Sequence, residues 1–358
     1  EEFGAGYPAP ASWMYGLLYP GLALFLVLPA EVAWTWTGIL HVAFGAAGVH
    51  RLVRDHGARA EAAAVAALLF GLSEFMVGRL TCGHLNLVMP LAWAPWVLLH
   101  VRRTVRGERR ALPWLAVCGA LGLLSGHVQV WFYLAPLAAV VAAAAVVRGG
   151  GRPAFLRLAA AAVLIAALSA VQWLPALELV RVSDTTPVTR SVLNATSSPP
   201  LHALSRLVPG ALGWRVEAGP WRWHDAPYWP LEGLEHEYLW IGGPWVLLLA
   251  LLAVARPDRD RLLWAGVAAA GIVAGLGTHL PAAEWLHSVP PFSLGRTPAR
   301  GLVLALLALP VLCGLGVSGW LDRAAEDRRA RLRRLAVPLG VSIVAVCAAA
   351  LTIGAALA

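Results

Sequence analysis

An all-α integral membrane protein, with about ten transmembrane helices and one large extracytoplasmic loop, is the fold class predicted by three observations. Hydrophobic residues make up 59% of the chain and charged residues 13%, where a soluble domain is roughly 25% charged. The apolar residues fall in blocks close to the ~20 needed to carry a helix across a ~30 Å hydrocarbon layer. Arginine, which supplies all 28 lysine-type charges in a chain without lysine, alternates between rich and poor loops. Helices rather than a barrel follow, because ten-residue alternating strands are absent and backbone in lipid must satisfy its own hydrogen bonds.

The blocks predict spans at about 34–53, 62–78, 86–101, 112–125, 128–147, 155–177, 238–255, 262–277, 299–320 and 335–357. Residues 17–28 form an apolar stretch bracketed by Pro20 and Pro29, too short to cross, and are read as interfacial or re-entrant. The loops at 51–61, 102–110, 148–157, 256–261 and 323–334 hold 20 of the 28 arginines and alternate with poor loops without a skip. The positive-inside bias makes the rich loops cytoplasmic. The organisation that results is an N-terminal membrane region at 1–177 that starts in an external loop, an extracytoplasmic loop at 178–237, and a C-terminal membrane region at 238–358.

That loop is too long for a passive connection. It carries a short amphipathic turn at 201–208 and then Trp214, Trp221, Trp223, Trp229 and Trp240. Tryptophans there suit the headgroup layer, or alternatively a stacking platform for sugar. The cluster Glu232, Glu235, His236 and Glu237, with His224 and Asp225, offers donors for a divalent cation, or is a solvated loop. No cofactor is otherwise expected. The formal charge of +8 is carried by membrane-flanking arginine and does not point to nucleic acid. Cys82, Cys118, Cys313 and Cys347 have no CxxC spacing and read as small buried hydrophobes. Phosphate-cradling GxxxxGK[ST] and GxGxxG loops in strand-turn-helix settings are absent, as is any 20–50 residue repeat.

Chemistry-bearing residues gather on the arginine-poor side. Arg79-Leu-Thr-Cys-Gly-His84-Leu-Asn86 closes one helical hairpin, and Ser125-Gly-His127-Val-Gln129 closes the next. Each histidine reads as a turn cap; the two matched turns, with Asn86 and Gln129 beside them, also read as one shared polar site. Glu74 is an ionisable group inside a span, which is costly and hence functionally suspect, or else forms an ion pair with Arg79. Gln172 and Glu178 lie at the outer end of the sixth span. Arg296 and Arg300 flank the start of a later span, where they clamp a lipid phosphate or snorkel to headgroups. His41, mid-span, reads as packed and hydrogen-bonded.

In this order the motifs resemble the YfhO-like bacterial membrane proteins of the GT-C clan of multispanning glycosyltransferases. The matching elements are Gly-Ala-Gly-Tyr-Pro and Leu-Tyr-Pro near the start, the Gly-His84 and Gly-His127-Val-Gln129 turns, Gln172-Trp-Leu-Pro-Ala-Leu-Glu178, Leu-Val-Pro-Gly, Glu237-Tyr, and Phe-Ser-Leu-Gly-Arg296-Thr-Pro-Ala-Arg300. The resemblance implies a bacterial inner-membrane enzyme. It would move sugar from a polyprenyl-phosphate donor to an envelope acceptor on the extracytoplasmic side. It also implies a carboxylate base in the first external loop, with cations steadying the leaving phosphate. By that resemblance the sequence is expected to start within that loop, without the first helix, so Glu1 and Glu2 are the carboxylates nearest that place and join Glu74 as catalytic candidates. Arg79, His84, Asn86, His127, Gln129, Gln172, Glu178, Glu237, Arg296 and Arg300 are the substrate-binding candidates, with membrane lipid and the lipid-linked donor as partners. A non-catalytic subunit of a larger membrane complex is the competing reading. A transporter is disfavoured by the lack of paired broken helices or an inverted repeat.

Overall fold

The computed structural model describes residues 9–182, 189–200, 243–281 and 297–324, with 283 and 345 besides, and among the described residues it is helical without a strand. The helices are α1 (Ala30–Asp55), α2 (Ala60–Gly71), α3 (Glu74–Thr81), α4 (Leu85–Arg106), α5 (Ala111–Leu124), α6 (Val128–Ala145), α7 (Gly151–Val182), α8 (Arg190–Ala195), α9 (Gly243–Val254), α10 (Arg259–Leu276) and α11 (Val303–Ala324). Among the described residues six segments are long and apolar enough to cross a membrane: Ala30–Asp55, Ala60–Thr81, Val128–Arg148, Gly151–Val182, Arg259–His279 and Pro298–Arg323. The chain is thus an all-α, multi-pass membrane protein. Six of the expected spans, 34–53, 62–78, 128–147, 155–177, 262–277 and 299–320, fall in these segments; 86–101 and 112–125 are helical without reaching the same length and hydropathy, 238–255 is described only from 243, and 335–357 lies outside the described residues apart from position 345.

Three local features differ from uninterrupted spans. The second span is broken, α2 ending at Gly71 and α3 restarting at Glu74. The Ser73 hydroxyl donates to Phe70 O at 2.7 Å and accepts from Met76 N at 3.4 Å, so one side chain closes the first helix and opens the second. α5 has 14 residues, fewer than a crossing needs, and residues Pro20–Leu26 form a seven-residue 3₁₀ turn. α6 continues through a π turn at Val146–Gly150 directly into α7.

The described residues divide into two compact units, one comprising 9–55 and 79–182, the other 56–78 and the described residues from 189 on. In the first unit α4 is central, packed by α1, α5, α6 and α7. Its apolar residues are buried almost around the whole helix, including Val88, Leu91, Ala92 and Leu99. Being surrounded by protein rather than lipid, α4 tolerates Pro90, Pro95, two tryptophans and a histidine. Phe44 of α1 sits between its tryptophans, edge-on to Trp93 with ring centroids 4.6 Å apart and stacked on Trp96 at 5.1 Å. α7 is the opposite case, with Phe155, Val163, Leu168 and Val171 more than half exposed, a surface that suits lipid.

At the arginine-rich end of this unit Asp55 closes α1 against the last turn of α4. Its carboxylate accepts from Arg102 Nε at 3.1 Å, Arg103 Nε at 3.2 Å and both terminal nitrogens of Arg106, at 3.0 and 2.6 Å. The carboxylate side chain is 5% exposed, so these bonds operate where water screens little. From α7, Arg157 donates to Thr104 O and Val105 O and satisfies carbonyls that end α4.

In the second unit α11 is central, packed by α2, α9 and α10. Gly271 and Gly275, four residues apart on α10, let the backbone around 301–305 approach closely, the small-residue device by which membrane helices pack without a hydrophobic drive. At the arginine-rich end, Trp264 can only donate, so its Nε1–H goes to His56 Nε2 at 3.1 Å and the His56 Nδ1–H donates to Asp260 at 2.8 Å.

The same substitution at two glycines of α10 should have opposite signs. A Cβ on Gly271 would lie 2.7 Å from the Ala305 backbone nitrogen, whereas one on Gly266 meets nothing within 4 Å. Gly271→Ala should cost about 1–3 kcal/mol, and Gly266→Ala should gain up to about 1 kcal/mol from helix propensity. Thermal unfolding of the two purified variants in the same detergent checks both.

Candidate functional site

Three short segments converge at the arginine-poor end of the first unit. The turn between α5 and α6 is fixed by the Gly122 carbonyl, which accepts from the Ser125 hydroxyl at 2.6 Å and Trp131 Nε1 at 2.8 Å. Gly126 follows at φ +127°, where a Cβ would touch the backbone and Cβ of Asn86 at 3.2 and 3.3 Å. The two Gly-His turns are therefore neighbours through Gly126 and Asn86. The N-terminal segment lies over both: Trp13 Nε1 donates to Leu123 O at 3.2 Å, and Asn86 Nδ2 donates to Met14 O at 3.3 Å.

Tyr19 anchors this segment. Trp93 Nε1–H, a donor only, gives its proton to the Tyr19 oxygen at 2.9 Å. The Tyr19 hydroxyl then donates to His41 Nε2 at 2.7 Å, and His41 Nδ1–H donates to Thr37 O at 2.7 Å. The chain of bonds assigns one tautomer to His41 and satisfies every member, so His41 is a packed, hydrogen-bonded residue as its position suggested. Burial pushes the Tyr19 hydroxyl from 10.0 up to about 12, against a smaller opposing effect of the Trp93 bond.

Between the N-terminal segment and the first Gly-His turn lies a cavity of about 690 Å³. Its polar lining comes from Tyr15, Tyr19, His84 and Asn86, and its apolar lining from Leu17, Leu18, Leu22, Phe25, Leu26 and Met89. Leu17, Leu18, Phe25 and Leu26 are exposed large hydrophobics, so the cavity carries an apolar rim. Directly behind His84, Arg79 is 1% exposed and its Nη1 donates to His84 Nδ1 at 3.1 Å. A guanidinium thus stands one hydrogen bond behind the cavity wall. Among the described residues no aspartate or glutamate lines the cavity.

Of the residues selected from sequence, His84 and Asn86 line the cavity and Arg79 stands behind it. His127 is half-buried, Gln129 and Gln172 are buried, and none of the three lines it; Glu178 is exposed on α7. Glu74, half-buried at the start of α3, and Arg300, half-buried in the 3₁₀ turn Pro298–Leu302, belong to the second unit. In that unit Ser197 Oγ accepts from Thr278 N at 2.9 Å, and Ala299 N donates to Thr196 O at 3.0 Å, which seats the stretch after α8 beside Arg300. Glu1, Glu2, Glu237 and Arg296 lie outside the described residues, as do the tryptophan-rich run, the acidic cluster and Cys347. Among the described residues no group of three histidine, cysteine or acidic side chains is placed to hold a metal, and Cys82, Cys118 and Cys313 are free thiols, the last two buried.

Tyr15 and Tyr19 are lining residues that the selection missed. The available signal was a tyrosine immediately before a proline in an apolar stretch too short to span, with a histidine at mid-depth in the following helix. Compared with known proteins, the chain matches no family model, no curated protein and no solved structure.

Two outcomes follow from the Tyr19 bonds. Tyr19→Phe leaves the Trp93 N–H and His41 Nε2 buried without their partner, a loss of about 1–3 kcal/mol, read as a lower unfolding temperature in detergent. The raised hydroxyl pKa means that the folded state holds this proton more tightly than the unfolded one. Its contribution is complete below pH 10 and is lost as pH rises through about 12. The wild-type protein should therefore lose stability over that window more steeply than Tyr19→Phe, in parallel melts at stepped alkaline pH.

Proposed function

We propose that this chain is a GT-C-type glycosyltransferase of a bacterial cytoplasmic membrane, with ten spans, that takes a sugar from a polyprenyl-phosphate donor on the extracytoplasmic side and adds it to an envelope acceptor. The observation that carries the reading is the cavity at the arginine-poor end. Its apolar rim suits an isoprenoid chain, while His84 and Asn86, backed by the buried Arg79 charge, suit the phosphate and the first sugar. His84 Nδ1 accepts from Arg79, so in the neutral ring Nε2 carries the proton and is the donor-bearing nitrogen. In the reaction, cationic and N–H donors would steady the phosphate as the glycosidic bond breaks, and a carboxylate would take the proton from the acceptor hydroxyl.

One observation favours a second reading, a binding subunit without transfer activity: among the described residues the cavity lining contains no carboxylate. Under the transferase reading the carboxylate comes from Glu74, Glu178, Glu237, Glu1 or Glu2; under the second it belongs to a partner protein.

Both readings are tested on the full chain reconstituted in liposomes. His84→Ala and Asn86→Ala should each weaken binding of undecaprenyl phosphate about tenfold or more, the scale of one hydrogen bond to a charged group. Unchanged binding in both variants would remove the lipid-phosphate reading altogether. Transfer of radiolabelled sugar from polyprenyl phosphate, abolished by one carboxylate-to-amide variant among the five glutamates, identifies the enzyme; binding without transfer identifies the subunit.

A further inference from the structure

A second cavity, of about 540 Å³, opens at the arginine-rich end of the first unit between α1, α4 and α5, and shares no lining residue with the first. Its mouth is cationic: Arg51, Arg103, Arg109 and Arg110 line it against one carboxylate, Glu108. These arginines are not equivalent. Arg103 is already engaged with Asp55 at 3.2 Å and Glu108 at 3.7 Å. Arg51, Arg109 and Arg110 are exposed and make no ion pair among the described residues.

Below the arginines the cavity turns apolar, with Phe44, Trp96, Leu99, Val117 and Leu121 as its floor. Trp114 and Val117 of α5, 52% and 38% exposed, form the side where the cavity meets the lipid-facing surface. His100 provides an independent sign of a ligand. It lines the cavity, is 8% exposed and stacks on Trp114 with centroids 6.4 Å apart, yet its Nδ1 is buried without a hydrogen-bond partner among the described residues. A buried imidazole nitrogen left unsatisfied costs free energy that a bound polar group would recover.

We propose that this cavity is a binding site for an anionic phospholipid, distinct from the lipid-phosphate site at the other end and independent of any transferase activity. The phosphate sits among Arg51, Arg109 and Arg110, a headgroup or ester oxygen meets His100 Nδ1, and an acyl chain runs over the aromatic floor past Trp114 into the bilayer. The arginine bias puts this end in the cytoplasmic leaflet, where basic pockets between helices meet anionic headgroups.

The test is native mass spectrometry of the full chain in detergent, titrated with phosphatidylglycerol, phosphatidylcholine or inorganic phosphate. Phosphatidylglycerol should bind at least about tenfold more tightly than phosphatidylcholine, and inorganic phosphate at matched concentration should not displace it. At roughly fivefold per arginine, Arg51→Ala, Arg109→Ala and Arg110→Ala should each weaken it by that factor and the triple variant by on the order of a hundredfold. A control with Arg152→Ala and Arg256→Ala, exposed arginines outside the cavity, should bind as wild type. Equal affinity for the two phospholipids, full binding by the single and triple variants, or an equal loss in the control each overturns the proposal. Displacement of the lipid by inorganic phosphate overturns the lipid as occupant and leaves a phosphate site. The single variants keep the reading available should the triple variant not stay folded.

Discussion

The Tyr19 hydroxyl bears on everything at the arginine-poor end of the first unit. The eight residues between Pro20 and Pro29 can neither cross a bilayer nor, largely as a 3₁₀ turn, satisfy much of their own backbone. Such a segment stays in place only if side chains hold it. Trp93 of α4 and His41 of α1 do so through one oxygen, each bond formed out of bulk water and each fully satisfied. With the segment fixed there, its leucines and phenylalanine become one wall of the cavity, and Met14 O falls within reach of Asn86.

The two ends of this unit handle positive charge in opposite ways. At the arginine-rich end Asp55 draws three guanidiniums of α4 into one cluster, so much of the charge is spent locally on holding α1 to α4. At the other end Arg79 is buried and donates to the His84 imidazole, so that its guanidinium stands behind the cavity wall. Burial strengthens both arrangements because the effective dielectric is low. In the first case it yields a clasp, in the second a cation set behind a wall.

The spans were legible because lipid solvation imposes a long apolar block whatever the helix packs against; α1, α7 and α11 all satisfied that demand. α4 was legible by position but not by its role, since Pro90, Pro95 and His100 would weaken a lipid-facing helix and are tolerated only in a helix surrounded by protein. The break at Ser73 could not be foreseen, because it depends on where one hydroxyl finds its acceptor. Glu74 and Arg79 share α3, yet the boundary between the two units falls between them, which spacing in the sequence does not reveal. His84 and Asn86 were legible because a Gly-His turn exposes both. Tyr19 was not, because its partners lie 22 and 74 residues away.

The packing of α2 on α11 has a consequence for how the protein is made. Arg59 N, just before α2, donates to the hydroxyl of Ser318 in α11, across 259 positions of sequence. At ribosomal rates of roughly 5–20 residues per second, α2 leaves the ribosome tens of seconds before its neighbour exists. During that interval the alanine face formed by Ala62, Ala63 and Ala66, fully buried in the finished protein, meets acyl chains or an insertion factor instead. Small, featureless and apolar, that face is one a nascent chain can leave in lipid and later surrender to a helix without first shedding a tightly held ligand.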